Sequence, residues 1–302
     1  MRVAFPSFSG RGLRAALALL CVGLALGACS LRFAYSQLDW LVPWYVRDYV
    51  SLDAGQRSVL DHRLAVRLDW HCSTHLPEYA AAMREAQALL ARETVDAGAL
   101  EPFLVRGEVW WAELLAELEH DARVLLAALN DDQAAELRLA LARREREARE
   151  EYLGGSAAEQ HAARVARMEK RLQRWFGRLT PAQRERVATW SAALSPTTED
   201  WLVQRARWQG ALLAALEVRR DDAAFAARLA PLFASQQAHW PPAYREGVAH
   251  NRALTLSLLA DLFNMAPDAQ RQHLDGELDA LAAQFESLAC AAPARLSAAP
   301  GR

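Results

Sequence analysis

Apolar residues recur at intervals of three and four along most of this chain from Asp53 onward. The stripes comprise Trp111, Leu114, Leu115, Leu118, Ala122, Leu125, Leu126 and Leu129, then Val165, Met168, Leu172, Trp175 and Leu179, then Leu274, Leu278, Leu281, Phe285 and Leu288. Residues at this spacing share one face of an α-helix. No segment alternates strictly enough to predict a strand, and strong helix formers such as Ala and Leu are abundant. The pattern predicts an all-α, bundle-like domain of about eight to ten helices.

Proline, glycine and serine mark the predicted ends of these helices. We expect breaks at Pro77, at Gly154-Gly155, at Ser195-Pro196-Thr197 and at Trp240-Pro241-Pro242, since proline lacks the amide donor and restricts the residue before it. The last segment, 291–302, contains small residues, two prolines and a glycine, which is typical of a flexible tail. The helical domain is therefore predicted over residues 53–290.

The N-terminal residues follow a different pattern. Arg2, Arg11 and Arg14 precede or open an apolar stretch that ends near residue 26. This stretch is shorter than the roughly 20 residues that a membrane-spanning helix needs. It is followed by Leu26-Gly27-Ala28-Cys29, which has the form of a bacterial lipobox: an aliphatic residue, two small residues and a cysteine. The segment therefore predicts a lipoprotein signal peptide, residues 1–28, that is removed.

Cys29 is the predicted site of lipid attachment. Diacylglycerol on its thiol and acylation of the new N-terminus would hold the mature chain durably at a membrane. Ser30, where an aspartate would favour retention in the inner membrane, favours transfer to the outer membrane. We expect a lipid-anchored envelope protein that faces the periplasm. An ordinary secretory signal and a single-span anchor that merely contains a cysteine are the alternatives.

The net charge of the chain argues against one class of partner. The formal net charge of −2 includes the three arginines of the signal peptide, and without them 32 basic side chains stand against 37 acidic ones, a net charge of −5. A mildly acidic surface argues against a nucleic-acid partner. No cofactor is expected beyond the covalent lipid on Cys29.

Cys72 and Cys290 are the other two cysteines of the predicted mature chain. An oxidising periplasm favours a disulfide between them, and only one pairing is available. Such a bond would tie the start of the helical domain to its end and contribute on the order of 5 kcal/mol by restricting the unfolded chain. Two buried free thiols are the alternative.

A short phrase recurs at predicted helix starts. It places a capping residue three positions before a glutamine whose amide can reach back to the capping residue's backbone, as in a capping box. The copies are Thr180 with Gln183, Asp53 with Gln56, Asn130 with Gln133 and, one residue longer, the segment 265–270. Their irregular intervals argue against a solenoid, in which the period is fixed.

Leu179-Thr180-Pro181-Ala182-Gln183 resembles the Leu-Thr-x-x-Gln motif of small helical periplasmic chaperones of the Spy and CpxP type. In that family the motif sits in a helical cradle that binds unfolded clients without ATP. The resemblance implies a chaperone-like protein with unfolded clients as partners. Helix capping alone selects the same residue types, which leaves a purely structural role open.

A fuller resemblance extends along the predicted mature chain. Its landmarks are residues 38–44, 70–77, 175–180, Asn251-Arg252 and 285–290. Together they resemble a family of uncharacterised proteobacterial lipoproteins, known as a domain of unknown function. That resemblance implies a lipid-anchored helical envelope protein and supplies no reaction, so no functional residues follow from it.

His71 and His75 are the candidate metal ligands. Four residues apart, they share one helix face, and both imidazoles could bind one ion. Asp69 and His62 are the available third ligands. The alternative is a hydrogen-bonded histidine pair near the predicted disulfide.

Four aromatic residues, Trp40, Trp44, Tyr45 and Tyr49, closely follow the predicted lipid within segment 29–52. Their rings suit the headgroup zone of a membrane. Core packing is the favoured interpretation, since charged residues interrupt the segment and aromatics at this spacing commonly pack in a core.

Motifs that carry a reaction are absent from the sequence: it has no Gly-rich phosphate loop, no Gly-x-Ser-x-Gly and no Cys-x-x-Cys. We therefore predict a non-enzymatic binding protein, either an adaptor for one folded envelope protein or a chaperone for unfolded clients. An envelope hydrolase or metal-dependent enzyme that uses His71 and His75 is the alternative.

Overall fold

A computed structural model describes residues 30–234 and 236–290. These residues form eleven α-helices and a 3-10 turn at Gln236–His239, and among them there is no β-strand. The all-α prediction is confirmed, and the helix count exceeds the expected one because two short helices precede residue 53. The helices are α1 Ser30–Ser36, α2 Leu38–Val46, α3 Ala54–Leu90, α4 Ala97–Ala127, α5 Asp131–Leu153, α6 Ala157–Phe176, α7 Pro181–Ala193, α8 Thr198–Leu216, α9 Asp222–Phe233, α10 Pro242–Asn264 and α11 Asp268–Leu288.

The predicted helix breaks are present at residues 154–155, 195–197 and 240–241, but the prediction of a break at Pro77 is wrong. Pro77 lies inside α3, a helix of 37 residues. The missing amide bond is offset by packing, because Leu76 and Ala80 are buried beside it and α3 packs along α11. Tertiary burial here outweighs a local cost of about 3 kcal/mol.

Most of the buried apolar residues belong to two clusters, which define two lobes. The core of lobe one lies between the end of α4 and helices α5, α8 and α9, and comprises Val50, Leu129, Leu137, Leu141, Leu212, Ala215, Leu216, Phe225 and Leu229. The core of lobe two lies between the end of α3, the start of α4 and helices α6, α7, α10 and α11, and comprises Val95, Leu172, Phe176, Leu179, Val187, Trp190, Leu258, Leu262, Phe263, Ala266, Leu274 and Leu278. The α3–α4 hairpin therefore runs from one lobe to the other.

Polar contacts hold the two helices of this hairpin together. Arg63 and Arg67 pair with Asp121 at 2.8 and 3.1 Å. The indole N–H of Trp110 donates to Glu78 at 2.5 Å. Asp121 is the one buried residue of α4. Helix α4 thus contacts α3 through polar side chains in its middle, whereas Ala99 and Leu100 at its start pack with the end of α3 in the core of lobe two.

Buried glutamines close lobe one at the starts of α3 and α5. Asp53 and Asn130 form capping boxes with Gln56 and Gln133. The two glutamine side chains also bond to each other: Gln56 Nε2 donates to Gln133 Oε1 at 2.9 Å, and Gln133 Nε2 donates to Gln56 Oε1 at 2.6 Å. Each amide also donates to a backbone carbonyl that precedes the other helix: Gln56 to Ala128 and Gln133 to Ser51. The recurring phrase therefore joins helix starts in pairs.

The same arrangement closes lobe two at the starts of α7 and α11. Thr180 forms a capping box with Gln183, and Gln183 Nε2 donates to Gln270 Oε1 at 2.7 Å. The return bond from Gln270 Nε2 to Gln183 Oε1 measures 3.1 Å. Pro267 is the N-cap of α11 and makes no side-chain capping bond. Gln270, in the looser copy of the phrase, is thus paired without a capping box.

Candidate functional site

Cys29, the predicted lipidation site, lies outside the described residues, as does the tail 291–302. Helix α2, which begins nine residues after Cys29, buries none of its residues. Trp40, Trp44 and Tyr45 are 59%, 45% and 55% exposed. Core packing, the favoured interpretation of these aromatics, is therefore wrong for all three, because so short a helix offers few positions that face the rest of the protein. Tyr49 alone of the four is half-buried and packs against the core of lobe one.

Cys72 and Cys290 form a disulfide that joins the middle of α3 to the chain just after α11, across a separation of 218 residues. The amide of Cys290 also donates to the carbonyl oxygen of Cys72 at 3.0 Å. The bond therefore fixes the C-terminal end of lobe two onto the long hairpin.

His71 and His75 share one face of α3 beside this disulfide. Nδ1 of His71 lies 3.1 Å from the Tyr35 hydroxyl, and its Nε2 lies 3.4 Å from the Tyr79 hydroxyl. His75 is buried, and its Nε2 lies 3.0 Å from a carboxylate oxygen of Glu113. Burial lowers the pKa of His71, and the neighbouring His75 lowers it further, so His71 is neutral at pH 7.

A third metal ligand does not join this pair within the described residues. The one group of three potential ligands found there is Asp69, Cys72 and Cys290, and the two sulfurs are bonded to each other. A zinc site needs at least three protein ligands, and a disulfide offers no thiolate. The geometry therefore favours the hydrogen-bonded histidine pair over a metal site.

Helix α4 presents an exposed apolar face, which combines Trp111 of the predicted stripe with apolar residues outside that stripe. Leu104, Val105, Val109 and Trp111 are among the exposed large apolar side chains, with Trp111 60% exposed. An exposed cluster of this kind marks a binding surface more often than isolated apolar residues do. Leu104, Val105 and Val109 are absent from the apolar stripe predicted for this helix, and their presence was the signal in the sequence.

These side chains form one wall of an open groove of about 780 Å³, here called the α4 groove. The α4 wall comprises Phe103, Leu104, Val105, Gly107, Glu108, Val109, Trp111, Ala112 and Leu115, and the opposite wall includes Trp208, Leu232, Phe233, Gln237 and Trp240. The indole N–H of Trp208 donates to the carbonyl oxygen of Leu232 at 2.9 Å, which fixes that ring in the wall. The groove is thus apolar and partly preformed.

The α4 groove continues toward lobe two. A neighbouring cavity of about 500 Å³ shares Leu104, Glu108 and Trp240 with it and adds residues of α10. At that end Arg252 pairs with Glu108 and, at 3.5 Å, with Glu101. The charged pairs lie at the rim, while the walls are apolar. This layout suits an elongated ligand with one apolar face and polar edges.

The architecture defines an all-helical protein with an open apolar groove. The chain belongs to a family whose model, described as "Family of unknown function (DUF6279)", matches residues 48–245. The matched region contains every residue of the α4 groove named above and three of the four paired glutamines. No curated protein and no solved structure matches the chain. Among the described residues, no helix has both the length and the apolar character to cross a membrane.

Proposed function

We propose that this protein is a non-enzymatic, lipid-anchored adaptor of the cell envelope that holds an amphipathic helix of another protein in the α4 groove. One observation carries the proposal. Helix α4 has 31 residues and buries only Asp121, while Leu104, Val109 and Trp111 remain at the surface. A helix rich in apolar residues ordinarily buries an apolar stripe against its own core, so this face is suited to a partner.

The shape of the groove favours a helix as the partner. Residues 103–115 run along one wall, which corresponds to a length of roughly 18 Å, or more than three helical turns. Trp208, Phe233 and Trp240 supply the aromatic anchors that dominate binding energy in such grooves. A pocket for a small molecule or an acyl chain would enclose most of its ligand, whereas this groove is open and leaves Trp111 and Val109 of its α4 wall exposed.

The proposed anchor is the lipid on Cys29, with α2 as a second contact with the membrane. Trp40 and Trp44 stack on each other with ring centroids 6.3 Å apart and lie within 15 residues of Cys29. Indole and phenol rings favour the headgroup layer. Ser30 supports the periplasmic face of the outer membrane as the location.

The adaptor is favoured over a general chaperone because the Leu-Thr-x-x-Gln phrases are occupied within the fold. The amides of Gln56, Gln133, Gln183 and Gln270 bond to one another and to backbone carbonyls, so they are unavailable to clients. The enzyme alternative has less support, since the imidazoles of His71 and His75 are engaged by tyrosine and glutamate side chains.

Photo-crosslinking in living cells tests the proposal. A photoreactive amino acid is placed at Trp111 in the groove and, as a matched control, at Leu139, which is 71% exposed on α5. We expect a discrete adduct from position 111 and none from position 139. Mass spectrometry should map the crosslinked peptide to a segment of an envelope protein with apolar residues at helical spacing.

Substitutions sharpen this test. Val105→Asp with Val109→Asp, in the chain carrying the probe at 111, should reduce the adduct at least about tenfold by placing charges in an apolar contact. Leu139→Asp should leave the adduct unchanged, and both variants should keep the wild-type Tm because the sites are exposed. A crosslink to a second copy of this chain, to lipid or to many unrelated proteins would overturn the adaptor proposal.

A further inference from the structure

A third cavity, of about 420 Å³, is lined by residues from helices of both lobes and shares no lining residue with the α4 groove. Helix α6 supplies Arg164, Arg167 and Arg171 to it, and Tyr152, Trp190 and Trp201 form much of the remaining lining. A smaller cavity of about 170 Å³ adjoins it and shares Arg164, Arg167 and Tyr152. The volume of the larger cavity falls within the range of small-molecule sites. We call this larger cavity the arginine pocket.

The three arginines of this pocket lie together on one helix, without a carboxylate partner among the described residues. Their spacing of three and four residues puts them on one face of α6, where like charges repel. Within the described part of the chain, none of them forms an ion pair, although fifteen other arginines do so. The contacts of Arg164 and Arg167 are neutral: Arg164 Nε donates to Ser191 Oγ at 3.3 Å, and Arg167 lies 5.9 Å from the Tyr152 ring centre.

The other walls supply an apolar platform and a helix start. Tyr152 and Trp201 meet edge to face with centroids 5.4 Å apart. Thr197 and Thr198 also line the pocket, and Thr197 is the N-cap of α8 without a side-chain capping bond. Amide N–H groups at a helix start favour an anion. The first turn of α8 also contains Glu199 and Asp200, so the positive character of the pocket comes from the guanidinium groups.

Among the described residues that line the arginine pocket, there is no carboxylate. Glu159 and Glu151 line only the smaller cavity, and Glu159 is bound to the backbone and hydroxyl of Ser156 at 2.7 and 2.9 Å. Burial raises the pKa of Tyr244, another lining residue, and the nearby Asp200 raises it further, so that phenol stays neutral.

We infer that the arginine pocket binds a phosphate monoester attached to a small apolar or ring-shaped body. Guanidinium groups bind phosphate and carboxylate oxygens in a bidentate way. A phosphate monoester carries close to two negative charges at neutral pH and three acceptor oxygens, against one charge for a carboxylate, and so balances three guanidinium groups better. The attached body lies against Tyr152 and Trp201. This inference is independent of the α4 groove and its partner.

Calorimetric titration of the full-length protein in detergent tests the inference. The probes are phenyl phosphate and benzoate at pH 7.5, which share a ring and differ in anionic charge. We expect phenyl phosphate to bind at least about tenfold more tightly than benzoate, and to weaken as salt is raised. Equal affinities, or no saturable binding of phenyl phosphate, would overturn the assignment.

Two variants separate the pocket from charge in general. Arg167→Gln with Arg171→Gln removes two guanidinium groups that make no protein hydrogen bond, so the fold should keep its Tm, and phenyl phosphate should bind at least about tenfold more weakly. Arg57→Gln, an exposed arginine on α3, is the matched control and should change the affinity less than about twofold. An unchanged affinity in the double variant would contradict the inference.

A second pair of probes distinguishes the source of the phosphate. Glycerol 3-phosphate presents the headgroup alone, and dioctanoyl phosphatidic acid presents the same headgroup with short acyl chains. Tighter binding of the lipid, lost in the double variant, assigns a membrane headgroup. Equal binding of both, also lost in the double variant, assigns a soluble phosphate ester.

Discussion

In lobe one both paired glutamines also cap their own helices, whereas in lobe two only one of them does. Oε1 of Gln56 and of Gln133 accepts an N–H from its own capping residue as well as the partner's amide. Oε1 of Gln270 accepts the Gln183 amide, while Pro267, the N-cap of that helix, has no N–H to donate. The pairing persists where the capping box is missing, which indicates that the pair itself requires glutamine.

The difference between the lobes distinguishes two roles of the glutamine, capping and pairing, that look alike in a sequence. A capping box accepts either glutamate or glutamine, since only an acceptor is needed. A buried pair needs a donor and an acceptor on each side chain, which only the amide provides. Ser156 and Glu159 form a capping box of the first kind, exposed and without a pair. The glutamine phrase is therefore explained by contacts inside each lobe.

Removal of the disulfide should have the largest effect and should fall mainly on lobe two. Cys72→Ala with Cys290→Ala opens a loop defined by a separation of 218 residues, and we expect a loss of about 5 kcal/mol in the free energy of unfolding. Because Cys290 follows α11, that helix should loosen before α5. Urea unfolding measures the total, and hydrogen exchange followed by mass spectrometry compares the helices. Equal acceleration in both lobes would contradict the asymmetry.

The glutamine pairs should come next, and glutamate substitutions distinguish pairing from capping. Gln183→Glu keeps the capping acceptor but replaces the buried amide donor with a charge, which should cost roughly 3 kcal/mol at pH 7. Gln133→Glu should cost somewhat less, because Gln133 is 6% exposed and Gln183 is fully buried. The reciprocal control, Glu159→Gln, should change stability by less than about 0.5 kcal/mol. If Gln183→Glu is as mild as the control, capping alone explains the phrase.

Helix positions and caps could be predicted from sequence because they depend on residues three or four apart. The pairing of Gln56 with Gln133 could not, since 77 residues separate them and only the tertiary fold brings them together. The groove was missed for a related reason: an apolar residue such as Trp111 looks the same in sequence whether it meets a core or a partner. Pro77 shows the converse, because packing outweighed a local signal.

His71 lies near the middle of the hairpin that joins the lobes, and its effect should depend on pH. Its folded pKa is lowered, first by burial and then by His75, so below about pH 6.5 the unfolded chain binds the extra proton more readily. The stability that neutral His71 contributes is therefore present above that pH and is lost as pH falls toward the folded pKa.

A comparison of the wild type with His71→Gln isolates this contribution. The difference in unfolding free energy between the two proteins, measured in urea, should be larger at pH 7.5 than at pH 5.5. A difference that stays constant, or grows as the pH falls, would show that His71 does not titrate in this way.

The smallest effect on stability is expected from an exposed tryptophan next to lobe one, and it contrasts with a buried one in lobe two. Trp44→Ala removes a side chain that is 45% exposed on a helix with no buried residue, so the free energy of unfolding should change by less than about 0.5 kcal/mol. Trp190→Ala removes a side chain that is 8% exposed and should cost about 3 kcal/mol or more. If α2 lies at the headgroup layer, Trp44→Ala should instead weaken binding of unlipidated protein to liposomes in a co-sedimentation assay. A folding defect in Trp44→Ala with unchanged liposome binding would return this tryptophan to a structural role and leave the lipid as the sole proposed anchor.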